Sequence, residues 1–172
     1  HGAGNITKAL ALFAGEKVSR NQRSLYLSAA RSYLFNHILS ARVANESWDQ
    51  ALSGDALMFD NSHSFFKAEI LDESMLQRIA QLDVHPTGVL WGKGEAQVSA
   101  GVAVLEQQVL EPFHELTQGL LAFGMEQDRR ALRSHIQELQ WQFITPDCLE
   151  LSFTLNPGCY ATALLREMVQ VV

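Results

Sequence analysis

Four arginines lie on one side of a long helix predicted near the start of the chain. When residues are placed about 100° apart around a helix, these four fall within an arc of about 100°: Arg20, Arg23, Arg31 and Arg42. A guanidinium group stays charged at neutral pH, and its planar fork fits the oxygens of carboxylate and phosphate groups. The arrangement therefore raises the question of whether this side of the helix meets an anionic partner.

The distribution of charge along the chain raises the same question. The 172 residues carry a net charge of −6, which argues against a generic nucleic-acid binder. Residues 1–45, however, hold six basic groups against one acidic group, whereas residues 46–172 hold seven basic against eighteen acidic groups. A basic end on an acidic body indicates either a face directed at an anionic partner or ordinary variation of the surface.

Arg31 is the least expected of the four arginines. Together with Leu27, Leu34 and Ile38 it falls within about 60° on the predicted helix, so a permanent charge lies in an apolar stripe. The guanidinium group either contacts an external anion or is satisfied internally, by an ion pair or by backbone carbonyls. The sequence leaves both interpretations open.

A second candidate lies on the last predicted helix. Thr162, Arg166 and Gln170 follow one another at intervals of four residues, which places them on one side. The other half of that helix is apolar: Tyr160, Ala161, Leu164, Leu165, Met168 and Val169. The polar side either lines a cleft or faces solvent.

Common catalytic and metal-binding motifs are absent from the sequence. The chain has no GxSxG or HExxH segment, and no two histidines are four residues apart. The stretch TGVLWGKGE has only three residues between Gly88 and Gly92, and Gly follows Lys93, so it predicts a surface loop rather than a phosphate-binding loop. No metal site is predicted among the scattered histidines, which are His63, His85, His114 and His135.

The two cysteines do not suggest a disulfide framework. Cys148 and Cys159 have no CxxC spacing, which favours a reducing cytoplasm. Cys159 follows Gly158 at a predicted helix start, where a thiolate is stabilised, but no base is evident, so a packed cysteine is the preferred interpretation.

The elements that position these residues are predicted from apolar periodicity. Ser19 and Gln22 form a possible capping box for the long helix, and Leu139–Phe143 and Leu149–Leu155 alternate as an antiparallel hairpin. A second hairpin is predicted in 55–60 and 64–70. Helices are predicted at 4–14, about 20–43, 73–82, 98–109 and 113–121, with a short one around Arg129, Arg130 and Arg133, and a last one after Gly158. Helices and strands are segregated, so the fold class is α+β. No apolar run is long enough for a membrane span.

Several stretches resemble the TruD family of tRNA pseudouridine synthases. HGAGNITKAL is similar to the segment after the family's Arg-Phe-Gly motif, and RSLYLSAARSYLFNHILSAR to the long helix that opens its insertion domain. GDALM resembles the following turn, and LELSFTLNPGCYATALLREMV the family's C-terminal strand, turn and helix. The resemblance implies a catalytic-domain segment in 1–17, an insertion domain in 18–137, and catalytic-domain strands and helix in 138–172.

The resemblance also implies a function. Such an enzyme isomerises uridine 13 of transfer RNA to pseudouridine without a cofactor or a metal, as a cytoplasmic monomer with no membrane association. The family's nucleophile is an aspartate in a Gly-x-Lys-Asp context, and no lysine of this chain is followed by aspartate. Since the chain begins at His1, we expect a C-terminal fragment that is inactive alone, with its nucleophile upstream. A non-catalytic RNA-binding module of the same fold is the alternative.

The resemblance further suggests roles for the two sets of arginines. The helix that carries Arg31 would border a cleft between two domains that enclose RNA, so Arg20, Arg23, Arg31 and Arg42 are predicted to face phosphates. The LLRE segment resembles the family's C-terminal Leu-Arg-Glu, which makes Arg166 the predicted partner of the absent catalytic aspartate. Asp55, in a turn, does not have the context of that aspartate.

Overall fold

The computed structural model describes residues 3–156 and 159–168. They form two compact units, which divide between Leu132 and Arg133. Helices and antiparallel strands occur in both units, which confirms the predicted α+β class. The first helix belongs to the same compact unit as the long second helix, and the assignment of 1–17, 18–137 and 138–172 to an insertion and a catalytic domain stays a prediction.

The first unit is built around one long helix. Helix α1 (Ala3–Phe13) packs against α2 (Arg20–Ala44), whose 25 residues extend over about 37 Å at 1.5 Å per residue. The predicted capping box is present, since the Ser19 hydroxyl accepts from the backbone N–H of Gln22 and the Gln22 side chain accepts from Ser19 N–H. Apolar residues on α2 form the main core with α1: Tyr26, Leu27, Ala30, Leu34 and Ile38.

A four-stranded antiparallel sheet lies against α2. Its strands are β1 (Ala56–Phe59), β2 (Phe65–Lys67), β3 (Val84–Leu90) and β4 (Asp128–Ala131), in the order β2-β1-β3-β4. Helix α3 (Glu73–Ala80) connects β2 to β3, and its Asp72 N-cap accepts from Met75 N–H at 2.8 Å. Every residue of β3 is buried, because strands flank it on both sides and α2 covers one face.

Two further helices complete this unit between β3 and β4. Helix α4 (Ala100–Leu110) runs into a short 3₁₀ turn (Glu111–Phe113) that contains Pro112, and α5 (His114–Ala122) follows. α5 packs on α1, where Gly119 lies directly against the ring of Phe13.

The second unit contains the predicted hairpin. Strands β5 (Ile136–Thr145) and β6 (Cys148–Leu155) pair antiparallel, with Trp141 opposite Leu151 and Phe143 opposite Leu149. The pairing is interrupted between Gln137 and Gln140, where Glu138 has a φ of 54°. Helix α6 (Ala161–Met168) follows.

Two sequence-based predictions in the sheet were wrong. TGVLWGKGE is not a surface loop, because Thr87–Leu90 lie in the buried strand β3 and Gly92 packs directly against the backbone of Glu126. The predicted short helix at Arg129 and Arg130 is strand β4, which pairs with β3 through Arg130 opposite Gly88. In both cases strand pairing across the unit overrode weak local signals.

Candidate nucleic-acid interface

The first turn of α2 presents two exposed arginines. Arg20 and Arg23 are exposed, and neither forms an ion pair with any other residue that the structure describes. Arginines at a helix N-terminus face the positive end of the helix dipole, which is mildly unfavourable, and this first turn contains no acidic residue. Their charge therefore does not serve the stability of the helix and remains available to an anion.

Arg31 lies two turns further along α2, and backbone carbonyls hold its guanidinium group. Its Nη2 donates to the carbonyl oxygens of Leu90, at 3.1 Å, and Glu126, at 2.9 Å. Burial lowers the pKa of Arg31; the carboxylate of Asp128 opposes this shift and the guanidinium of Arg130 adds to it. Backbone carbonyls therefore bind Arg31, which is one of the two interpretations that the sequence left open. The side chain is nevertheless only partly buried.

An open depression of about 160 Å³ lies beside Arg31. Arg31 lines it from α2 and Arg130 lines it from β4, so two arginines from different elements border the same space. The other lining residues are three serines of α2 and three apolar residues: Ser24, Ser28, Ser32, Leu27, Leu90 and Met125. Arg130 itself is exposed, with its guanidinium carbon 5.2 Å from the ring centre of Phe35.

The prediction that Arg42 faces RNA phosphates was wrong. Arg42 is 1% exposed, and Asp55, at 0%, accepts from both Nη atoms at 3.2 and 2.9 Å. Arg42 also donates to the carbonyl oxygens of Ser47 and Gln50. Arg42 does lie on the same side of α2 as the other three arginines, as predicted. The loop after α2, however, folds back over the last turn and covers this guanidinium group. The arginine thereby organises the turn that leads into β1.

A second buried ion pair was not predicted from the sequence. Arg129 on β4 forms two bonds to Glu106 on α4, and it also donates to the hydroxyl and carbonyl of Thr87. The signal was present in Glu106, which is the only charged residue of α4, but its partner lies 23 residues away. The pair holds β4 in place, and Arg130 extends from the same strand.

Arg130 and the serines of α2 were not identified as site residues from the sequence. Arg130 had been assigned to a short helix, so its position beside Arg31 was not foreseen. Ser24, Ser28 and Ser32 are spaced by four residues, which was the available signal.

Arg166 lies in the second unit, on α6. Arg166 and Thr162 are both exposed and four residues apart, so the described part of the predicted polar side is present. Leu164, on the apolar side, is partly buried. Gln170 and Val169, which the prediction also included, lie outside the described residues.

The described residues do not form a metal site, and the cysteines and His85 have structural partners or no partner cysteine. Within residues 3–156 and 159–168, no group of three His, Cys, Asp or Glu residues is placed to hold a metal ion. The described helices include none that is long and apolar enough to cross a membrane. Cys148 and Cys159 are unpaired thiols, and Cys159 Sγ donates to Ser134 Oγ at 3.2 Å. His85 instead pairs with Asp60 at 3.0 Å.

The structure thus defines an α+β protein with an arginine-bearing face on its longest helix. The family model for tRNA pseudouridine synthase D (TruD) matches residues 5–168. Because this match covers most of the sequence, the chain belongs to the TruD family.

Individual relatives agree with this assignment. The chain is 44% identical over 172 residues to tRNA pseudouridine synthase D of Methylococcus capsulatus, covering 99% of this chain and 49% of the relative. It is 46% identical over 163 residues to the protein of that name from Pseudomonas syringae pv. tomato, covering 93% and 46%. The chain therefore spans about half the length of the curated relatives it matches.

A solved structure shares the fold. A crystal structure assigned by name to tRNA pseudouridine synthase D of Methanosarcina mazei aligns with a TM-score of 0.66 and 21% identity, over 95% of this chain and 44% of that one. At this identity the likeness concerns the fold alone, and it supports the α+β class.

Proposed function

We propose that this chain is part of a tRNA pseudouridine synthase that isomerises uridine 13 of transfer RNA. The observation that carries the proposal is the family match over residues 5–168, together with relatives that bear this name at 44–46% identity. The proposed enzyme works as a cytoplasmic monomer with transfer RNA as its substrate and without a cofactor or metal.

The accessible arginines of α2, two of them exposed and one partly buried, supply the proposed RNA contacts. Arg20 and Arg23 lie at the N-terminus of α2 without ion-pair partners in the described chain, and Arg31 borders the depression. Contacts with phosphates position an RNA without reading its sequence, and arginines are well suited to them. Arg42 is excluded from this set because Asp55 and two carbonyls occupy its donors.

The catalytic aspartate is proposed to come from polypeptide outside these 172 residues. None of the four lysines is followed by aspartate, and the relatives are about twice as long as this chain. Asp55 does not suit the role of nucleophile, because it is fully buried and paired with Arg42. An aspartate that attacks a flipped uridine must instead reach an open pocket.

Arg166 is proposed to support that aspartate. Arginine stays charged, grips a carboxylate with two bonds, and favours its ionised form. Arg166 is exposed on α6, as is Thr162, so its guanidinium group is accessible to a group from elsewhere in the protein. The same exposure suits a solvated helix face, and replacement of Arg166 by alanine distinguishes the two roles.

The experiment compares this chain with the complete gene product. The complete protein is expected to convert uridine 13 of an unmodified tRNA transcript to pseudouridine, detected by carbodiimide labelling and primer extension. Replacing the aspartate of its Gly-x-Lys-Asp segment with asparagine should abolish the signal, and the 172-residue chain should form none. Turnover by the 172-residue chain would contradict the proposed division of the active site.

The alternative function is a non-catalytic RNA-binding module. It is favoured if the complete gene product lacks a Gly-x-Lys-Asp segment, binds tRNA and leaves its uridines unchanged. A small-molecule enzyme that uses Cys159 has little support, because the thiol of Cys159 hydrogen-bonds to the Ser134 hydroxyl rather than to a general base.

A further inference from the structure

We propose that the depression between Arg31 and Arg130 is a phosphate-binding subsite. The ligand of this subsite is a phosphate group. We assign that phosphate to the backbone of an RNA strand, and this assignment rests on the proposed function. The site combines one guanidinium from α2, one from β4, and serine hydroxyls from the exposed side of α2. No residue of the site depends on the second compact unit.

The two arginines are held in place before any ligand binds. Arg31 is fixed by its bonds to the carbonyl oxygens of Leu90 and Glu126, and Arg130 lies over the ring of Phe35. Less side-chain freedom is therefore lost when an anion arrives, which favours binding. Held guanidinium groups also give the geometric selectivity for an oxyanion that mobile surface lysines lack.

Charges of both signs surround Arg31. Burial is the largest effect on the pKa of Arg31 and lowers it; the carboxylate of Asp128 raises this pKa, and the guanidinium of Arg130 lowers it by less than Asp128 raises it. Asp128 is exposed, and its Oδ1 accepts a hydrogen bond from Arg129 N–H. Because this carboxylate opposes an anion, the subsite depends on Arg130 and the serine hydroxyls together with Arg31.

The serine hydroxyls agree with a phosphate ligand. Arg31 Nε is buried and has no hydrogen-bond partner among the described residues, so it is not accessible from the depression and does not itself contact a ligand there. Ser24 and Ser28 are exposed on successive turns of α2 beside it, where their hydroxyls are available as donors. Leu27 and Leu90 form apolar walls that contribute no competing acceptor side chain.

A purely structural role for Arg31 makes a different prediction. Its two carbonyl bonds tie α2 to the end of β3 and to the segment before β4. That role needs neither Arg130 nor the serines, so it predicts no loss of binding when they are replaced. Variants of Arg130 and Ser28 therefore separate the two explanations without disturbing the carbonyl bonds.

The first experiment uses inorganic phosphate and the 172-residue chain. Phosphate is titrated while the ¹⁵Nε–H resonances of the arginines are followed by NMR, with sulfate-free buffer and constant ionic strength. We expect a saturable shift of the Arg31 resonance that is lost in Arg130→Gln and reduced in Ser28→Ala. The proposal is overturned if the Arg31 resonance of the parent chain does not respond to phosphate. It is also overturned if both variants respond as the parent chain does.

The second experiment uses a short labelled single-stranded oligouridylate. Arg130→Gln should weaken binding about three- to tenfold, which corresponds to the net contribution of one ordinary hydrogen bond. It should also reduce the log–log salt slope by about 0.7. The matched control is Arg78→Gln, which removes an equal charge from a partly exposed arginine. Its guanidinium likewise lies over an aromatic ring, that of Phe59, and it pairs with Asp83. Arg78→Gln is expected to bind like the parent chain.

Together, the phosphate titration and the oligouridylate experiment distinguish the source of the phosphate. A phosphate-dependent shift of Arg31 with unchanged oligouridylate affinity in Arg130→Gln overturns the RNA assignment and identifies free phosphate as the ligand. The pseudouridine assay on the complete gene product is independent of both of these experiments. If that protein modifies tRNA equally well with and without Arg130→Gln, the subsite inference fails while the proposed function stands.

Discussion

Arg129 and Glu106 form a two-bond ion pair inside the first compact unit. Arg129 Nη1 donates to Oε2 at 3.0 Å and Nη2 donates to Oε1 at 2.8 Å, while Oε1 also accepts from the backbone N–H of Val89 at 3.2 Å. The pair links β4 to α4 and β3, and Arg129 is 2% exposed. It thereby determines where the adjacent Arg130 emerges at the surface.

We expect this pair to be sensitive to the loss of one partner. Glu106→Gln should lower the free energy of unfolding by about 3–5 kcal/mol, because it leaves the buried charge of Arg129 uncompensated. Replacing both residues, as in Arg129→Met/Glu106→Leu, should recover much of this loss. Urea denaturation followed by circular dichroism measures the change.

The exposed pair of Arg78 and Asp83 provides the control for that measurement. Both side chains are accessible, at 35% and 52%, so Arg78→Met should change the stability by about 0–1 kcal/mol. An effect of Glu106→Gln as small as that of Arg78→Met would show that the Arg129 charge is solvated in solution.

Gly119 is expected to be required where α5 meets α1. A methyl group at this position would overlap the ring of Phe13, so Gly119→Ala should destabilise the protein by about 1–3 kcal/mol despite the better helix propensity of alanine. Gly101, on α4, has open space around it, and Gly101→Ala should instead stabilise by about 0.4–1 kcal/mol. Thermal unfolding of both variants tests this opposite sign.

The arginines at the start of α2 should control the salt dependence of RNA binding. Arg20→Ala/Arg23→Ala should reduce the log–log slope by about 0.7–0.9 for each lost phosphate contact. Fluorescence anisotropy with labelled tRNA at several salt concentrations gives the slope, with Arg78→Ala as the control. A slope equal to that of the parent chain would remove Arg20 and Arg23 from the interface.

Arg166 should affect chemistry more than binding in the complete gene product. Arg166→Ala should lower the single-turnover rate by at least about tenfold and change tRNA affinity little, since a supporting partner acts on the aspartate rather than on the RNA. Arg166→Lys should restore part of the rate, because it keeps the charge but not the two-bond geometry. Near-normal rates for Arg166→Ala would indicate that this side of α6 faces solvent.

Local patterns in the sequence were enough for much of the architecture. The capping box at Ser19 and Gln22, the extent of α2, and the alternation in the hairpin of β5 and β6 depend on residues close together in the chain. Amphipathic periodicity and capping act over a few residues, so the sequence predicts such elements directly. The unusual position of Arg31 was visible for the same reason.

Only the tertiary structure decided how the charges are used. Arg31 and Arg42 share one side of α2, yet one borders an open depression and the other is buried against Asp55. The difference arises because the chain after α2 folds over Arg42, and β3 and β4 reach Arg31 from far along the sequence. Strand β3 itself, with its proline and glycine, is a strand because β1 and β4 pair with it on both sides. Long-range pairing and burial are absent from any local pattern, so they alone brought Arg130 beside Arg31.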